Sequence, residues 1–176
     1  MKARHVFPVC LGFLVAAGAS YFATRAVAAE ANDCAGQGNA VVVQVDAHRL
    51  LLCQNGHADQ AFAVSLGSGG IHKRQEGDHR TPVGVFALGV PRPSKEFTIF
   101  IPVGYPNAEQ RLAGYTGGDI GIHGPKKQWS WLGRLANWKD WTRGCIAINS
   151  EDGIRAVATW VERHHTARVE IKDLSR

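Results

Sequence analysis

Beyond residue 28, apolar residues come almost entirely in short runs, with glycine, proline, asparagine and charged residues between them. Runs of that length suit strands, whereas a core-facing helix needs ten residues or more. Val41-Val42-Val43-Gln44-Val45 is rich in β-branched residues, and Leu50-Leu51-Leu52-Cys53 follows as its hairpin partner. Asn55-Gly56 is a strong turn signal ahead of the run Ala61-Phe62-Ala63-Val64-Ser65-Leu66. Val85 to Leu88, Phe97 to Val103 and Ala167 to Ile171 are further strand candidates. Residues 67–80 and 104–118 read as loops. With 20 glycines and 7 prolines, a long-helix bundle is excluded.

One stretch has a helical period. Ile154, Val157, Ala158 and Val161 fall at i, i+3, i+4 and i+7, with Asn149 or Ser150 as N-cap and Glu151 and Asp152 in the first turn. His164 and His165 close it. Many short strands and one main helix near the C-terminus indicate a mainly β domain.

The 176 residues suffice for one domain, and 45% hydrophobic with 20% charged content excludes a disordered chain. The formal charge of +5 is concentrated at the start: residues 1–28 hold Lys2, Arg4 and Arg25 and no acid, leaving 17 cations against 15 acids. That balance gives no case for nucleic-acid binding. The same segment places Lys2 and Arg4 before an apolar run from Val6 to Ala23, then Ala26-Val27-Ala28. This is the pattern of a secretory signal peptide, residues 1–28. An uncleaved N-terminal anchor is the competing reading, since 18 apolar residues just reach the length of a membrane span. Phe7-Pro8-Val9-Cys10 lacks the small residue expected before a lipidated cysteine. Residues 29–39 read as a linker, and residues 40–176 as the folded domain.

Outside the leader, three cysteines remain: Cys34, Cys53 and Cys145. In an exported chain we expect Cys34 and Cys53 to pair, closing a loop that a disulfide stabilises by about 3 kcal/mol, and Cys145 to stay free. Three reduced thiols are the alternative. His48, His57, His72 and His79 lack regular metal-ligand spacing, so we expect no metal site and no cofactor.

Two pieces carry chemistry: Ile120-Gly121-Ile122-His123-Gly124 and Trp141-Thr142-Arg143-Gly144-Cys145-Ile146-Ala147-Ile148. Each sets a reactive side chain beside glycine where an apolar strand meets a loop. A thiol of pKa about 8.5 is only a few per cent ionised at neutral pH, so a cysteine nucleophile needs a base, and histidine is the natural one. Taken alone, the pair is equally compatible with a structural cysteine and an unrelated histidine.

These pieces resemble the signature of the L,D-transpeptidase (YkuD-like) catalytic domain, a histidine-glycine element followed by Ser/Thr-x-Gly-Cys. His123-Gly124 and Thr142-Arg143-Gly144-Cys145 match it. Gly77-Asp78-His79-Arg80-Thr81-Pro82-Val83-Gly84 is similar to the family's G-D-x-R-T-P-x-G segment. Tyr105-Pro106-Asn107, Gly117-Gly118-Asp119-Ile120 and Asp140-Trp141-Thr142 resemble a Gram-negative, YafK-like subgroup. The resemblance spans about residues 40–165 and implies a β-sandwich of mixed sheets.

It further implies that Cys145 is the nucleophile, His123 its base and acid, and the Gly124 carbonyl the third member that fixes the imidazole tautomer. Backbone N–H groups of Gly144 and Cys145 would hold the oxyanion. Many members carry arginine two residues after the cysteine, where this chain has Ala147; Arg143 is the candidate replacement for binding a substrate carboxylate. Thr142, Tyr105 and Arg80 are further substrate-binding candidates. Lys73, Arg74 and Arg80 could meet stem carboxylates, with simple solvation the favoured reading. Trp129, Trp131, Trp138 and Trp141 could wall the site, with core packing the favoured role for Trp141 and Trp160. The implied reaction is peptidoglycan L,D-transpeptidation in the periplasm, through a thioester to a tetrapeptide stem and transfer to an amine on another stem or a lipoprotein. A murein hydrolase of the same fold and a non-catalytic murein-binding module are the alternatives.

Overall fold

The computed structural model describes residues 33–128 and 139–175. The expectations for residues 1–28, and those for Trp129, Trp131 and Trp138, lie outside the described residues.

Nine strands form one curled sheet. They are β1 (Ala40–Gln44), β2 (Arg49–Gln54), β3 (His57–Ser65), β4 (Gly84–Ala87), β5 (Arg92–Ser94), β6 (Thr98–Pro102), β7 (Gly121–His123), β8 (Ile146–Ile148) and β9 (Arg168–Lys172). Their spatial order is β4-β9-β1-β2-β3-β8-β7-β6-β5. The sheet is mixed: β1 lies parallel to β9 and β7 parallel to β8, while the other neighbours are antiparallel. The expected two sheets are thus two halves of one, passing into each other at β3, which pairs with β2 along most of its length and with β8 at its end.

The far ends also meet. The Gly104 N–H donates to the Ala87 carbonyl and the Gly89 N–H to Pro102, both at 2.8 Å, with Leu88 bridged to Val103. Strand β4 therefore runs on through residues 88–91 into β5, carrying the chain from one end of the sheet to the other.

Curling places one core between the halves. Val41, Val43, Leu50 and Leu52 from one half pack in the same cluster as Ile101, Ile122, Ile146 and Ile148 from the other. Alternation along each strand sends these residues inward. Helix α2 (Glu151–Arg163) adds Ile154, Val157, Ala158 and Val161 to that cluster, the stripe expected from the sequence. Ser150 is its N-cap, accepting the Gly153 N–H at 3.0 Å. Full burial of each larger aliphatic side chain contributes roughly 1.5–3 kcal/mol.

Three elements differ from expectation. Strand β3 begins at His57, four residues early, because its first half is paired but exposed and so shows no apolar pattern. Strand β5 has no apolar residue except Pro93. Helix α1 (Ala108–Leu112) lies in the segment read as loop; it has no buried residue and is started by a capping box between Asn107 and Gln110.

The segment read as a linker is, from Asp33 onward, part of the fold. Cys34 is joined to Cys53, with Cα atoms 5.5 Å apart, and both pack with Val42 and Leu51 on the outer face of β1 and β2. Gln37 donates to Glu170 and accepts from Arg168, each at 2.6 Å. Small polar residues look like a tether in sequence; here they close a sheet face whose own residues are apolar on both sides.

Candidate active site

Parallel pairing sets Ile122 opposite Ile146 and His123 opposite Ala147. Side chains alternate along a strand, so Gly121 and His123 share a face, with Ile122 turned into the core. The chain enters β8 at Cys145, beside Gly121. The Gly121 N–H points at the Cys145 sulfur, and the thiol donates to the Asp119 carbonyl at 3.4 Å. The sulfur and the imidazole thereby line one cavity of about 690 Å³. Cys145 is the free cysteine among the described residues.

His123 is almost fully buried. Its Nδ1 lies 2.7 Å from the Gly124 carbonyl, which fixes Nδ1 as the protonated nitrogen and leaves Nε2 free to accept a proton. Phe97 stacks on the ring with centroids 3.8 Å apart, Phe100 lies parallel at 6.4 Å, and Trp141 meets it edge-on at 5.8 Å. Burial pushes the imidazole down to about 4, only partly offset by the Gly124 carbonyl. Burial pushes the Cys145 thiol up to about 11, and the Asp119 charge works in the same direction against the Gly121 N–H. The pair therefore rests as neutral thiol and neutral imidazole.

Glycines let the loops beneath the cysteine interlock. A Cβ on Gly67 would stand 2.2 Å from the His79 carbonyl oxygen, and one on Gly144 2.5 Å from that of Arg80. Gly144 also has φ +118°, a conformation closed to other residues. Thr81, fully buried, accepts the Gly67 N–H at 2.8 Å. Thr142 Oγ1 donates to the Cys145 carbonyl at 2.7 Å and accepts the Gly144 N–H at 3.1 Å.

The Gly77–Gly84 segment owes its shape to Asp78. This carboxylate accepts the N–H groups of Arg74, Gln75 and Arg80 and pairs with the Lys73 ammonium at 2.7 Å. Burial alone would raise the Asp78 carboxyl; these four partners outweigh it and hold it well below the usual carboxylate range.

Several expected substrate contacts are placed elsewhere. Tyr105 does not line the cavity: its hydroxyl donates to the Lys73 carbonyl at 3.2 Å, and burial raises it to about 12. Arg80 turns its guanidinium to the Ile71 carbonyl, 3.4 Å away, and contributes to the site through its backbone. The Gly144 N–H, expected at the oxyanion, is taken up by Thr142. Arg143 and Thr142 do line the cavity. So does Trp141, against the expectation of core packing, while Trp160 is buried. Lys73 is buried and ion-paired rather than solvated.

Phe97 and Lys126 line the cavity and were not signalled as site residues by their sequence neighbourhood; Asp119 lines it too, from a family-like motif in which no role was expected of it. Asp140 acts from behind: it accepts the Leu66 N–H at 2.7 Å and meets His48 at 3.1 Å, tying the start of the cysteine loop to β3 and the β1–β2 turn. A second groove, about 440 Å³, lies between residues 88–91 and the end of α2.

The sequence matches the L,D-transpeptidase catalytic domain (YkuD) over residues 38–171. No curated protein matches it at a significant level. Among solved structures, the helical cell shape determining protein Pgp2 from Campylobacter jejuni is 26% identical, with a TM-score of 0.63, over 80% of this chain and 53% of that one. Bd1075 from Bdellovibrio bacteriovorus shares the fold at 18% identity and a TM-score of 0.57, over 77% of this chain and 48% of that one. The chain thus spans about half the length of these structures. With a family match across most of its length and a shared fold, the chain belongs to the L,D-transpeptidase catalytic domain family.

Proposed function

We propose that the cavity is the active site of a cysteine-dependent L,D-transpeptidase acting on peptidoglycan stem peptides. One observation carries this: the Cys145 thiol and the His123 imidazole line one cavity from the same face of neighbouring parallel strands, with Nδ1 held by Gly124. Similarity to a protein that determines helical cell shape supports a cell-wall substrate.

In this reading Cys145 attacks the carbonyl between the L-centre of the third stem residue and D-alanine. Because thiol and imidazole rest neutral, the proton passes from sulfur to Nε2 as the C–S bond forms. The imidazolium then protonates the leaving D-alanine amine. An acceptor amine, from another stem or a lipoprotein, breaks the thioester by the reverse proton path. General base and acid action of this kind contributes on the order of 10²- to 10⁴-fold. Residues 1–28 would deliver the domain to the periplasm.

The test is mass spectrometry of the purified domain. A carbapenem should add one drug mass at Cys145, and Cys145→Ala should abolish both the adduct and tetrapeptide turnover. Cross-linked dimers would name an amine acceptor, and shortened monomers water. Folded protein that forms no adduct and turns over no tetrapeptide would sink the proposal.

A further inference from the structure

We propose that Asp119 selects a positively charged primary amine on the substrate, seating it beside the Cys145 thiol. The proposal rests on reading the cavity as an acyl-transfer site.

The charges lining the cavity sort themselves. Lys73 is matched by Asp78 at 2.7 Å, and Lys126 by Glu96 at 3.1 Å. Asp119 and Glu76 have no such match: among the described residues neither exposed carboxylate has a hydrogen bond or ion pair, and of the two it is Asp119 that borders the sulfur. Its position is fixed by the backbone. Asp119 sits at φ 52°, and its own carbonyl receives the Cys145 thiol at 3.4 Å. One of the two unmatched negative charges thus belongs to the very residue whose carbonyl meets the sulfur. A bare carboxylate there opposes thiolate formation, and the Asp119 charge does raise the Cys145 thiol. A substrate ammonium paired with it removes that opposition as binding occurs, so recognition and activation are coupled. Arg143 also lines the cavity, exposed and without a partner among the described residues, and offers the opposite sign to a substrate carboxylate.

The amine has two possible sources: the side chain of a diamino residue in the donor stem, or the acceptor. As acceptor, the ammonium first releases one proton to solvent. Its nitrogen then forms the C–N bond as the C–S bond breaks, and the second nitrogen proton passes through His123 to the sulfur.

Asp119→Asn is the test variant, because asparagine tolerates the left-handed backbone. Cys145 is modified with a cationic aminoethyl and an anionic sulfonatoethyl thiosulfonate reagent, which needs no turnover. We expect the cationic-to-anionic rate ratio to fall about tenfold in Asp119→Asn, the scale of one nearby charge in a partly solvated site. Donor and acceptor are then separated with tetrapeptides whose side-chain amine is free or acetylated, followed by D-alanine release, and by the ratio of aminolysis to hydrolysis. Loss of preference in the first arm names the donor, and in the second the acceptor. An unchanged reagent ratio, or unchanged preference in both arms, overturns the proposal. A selective thiol with no D-alanine release overturns the acyl-transfer reading instead.

Discussion

Two corners of this molecule are built on opposite plans. Around Cys34 and Cys53, side chains do the holding: Val42, Leu51 and both half-cystines are fully buried on the outer face of β1 and β2. Around Cys145, backbone packs on backbone, with Gly67 and Gly69 against residues 78–81 and Gly144 against Arg80. Side-chain packing tolerates exchange of one apolar residue for another of similar volume, whereas backbone contact leaves no room for any. The first plan serves stability alone, and the second serves the geometry of the site as well.

The strongest way to break this contrast is Gly67→Ala. The added methyl would meet the His79 carbonyl and the Thr81 nitrogen, neither of which can swing aside. We expect a loss of at least about 3 kcal/mol in denaturant melts and loss of Cys145 reactivity. Removing the disulfide as Cys34→Ala with Cys53→Ala should cost a comparable amount, about 3 kcal/mol. Cys145 alkylation in the folded variant should nevertheless stay at the parent rate. A change in that rate would show that the two corners are coupled.

Thr81→Val keeps the shape and removes the acceptor of the buried Gly67 N–H. It should cost about 1–3 kcal/mol and slow acyl-enzyme formation more than it weakens binding, read as kcat against KM. The smallest effect is with pH. Asp78 is held below its unfolded value, so its contribution is complete above about pH 4 and is lost as pH falls through the folded value. Acid melts of Asp78→Asn should accordingly be flatter than those of the parent chain in that range.

The same contrast explains what could be read in advance. Strands β1 and β2 and helix α2 show in the sequence because burial writes a local apolar pattern. His123 and Cys145 show because each stands beside glycine at a strand end. Phe97 reaches the site from a distant segment, and nothing in its immediate neighbours marks it; Asp140 stands in a motif, but its bracing contacts to Leu66 and His48 are long-range and do not show there. Tyr105 misleads for a related reason: a phenol near family-like residues suggests a ligand contact, yet its hydroxyl is spent bracing the Lys73 carbonyl. The first half of β3 and the whole of α1 are held by pairing and capping rather than burial, which hydropathy does not register.

The passage of β4 into β5 matters beyond architecture. A sheet left open at both ends would offer two unfilled ladders to any neighbouring polypeptide. Here one margin is answered by Val103 and Gly104, and the other is three residues long with Pro93 at its centre. Proline has no N–H to offer, and so short a border gives a foreign strand little to zip onto. Both borders are thereby poor templates for an incoming strand, whether from a peptide or from a second copy of the chain.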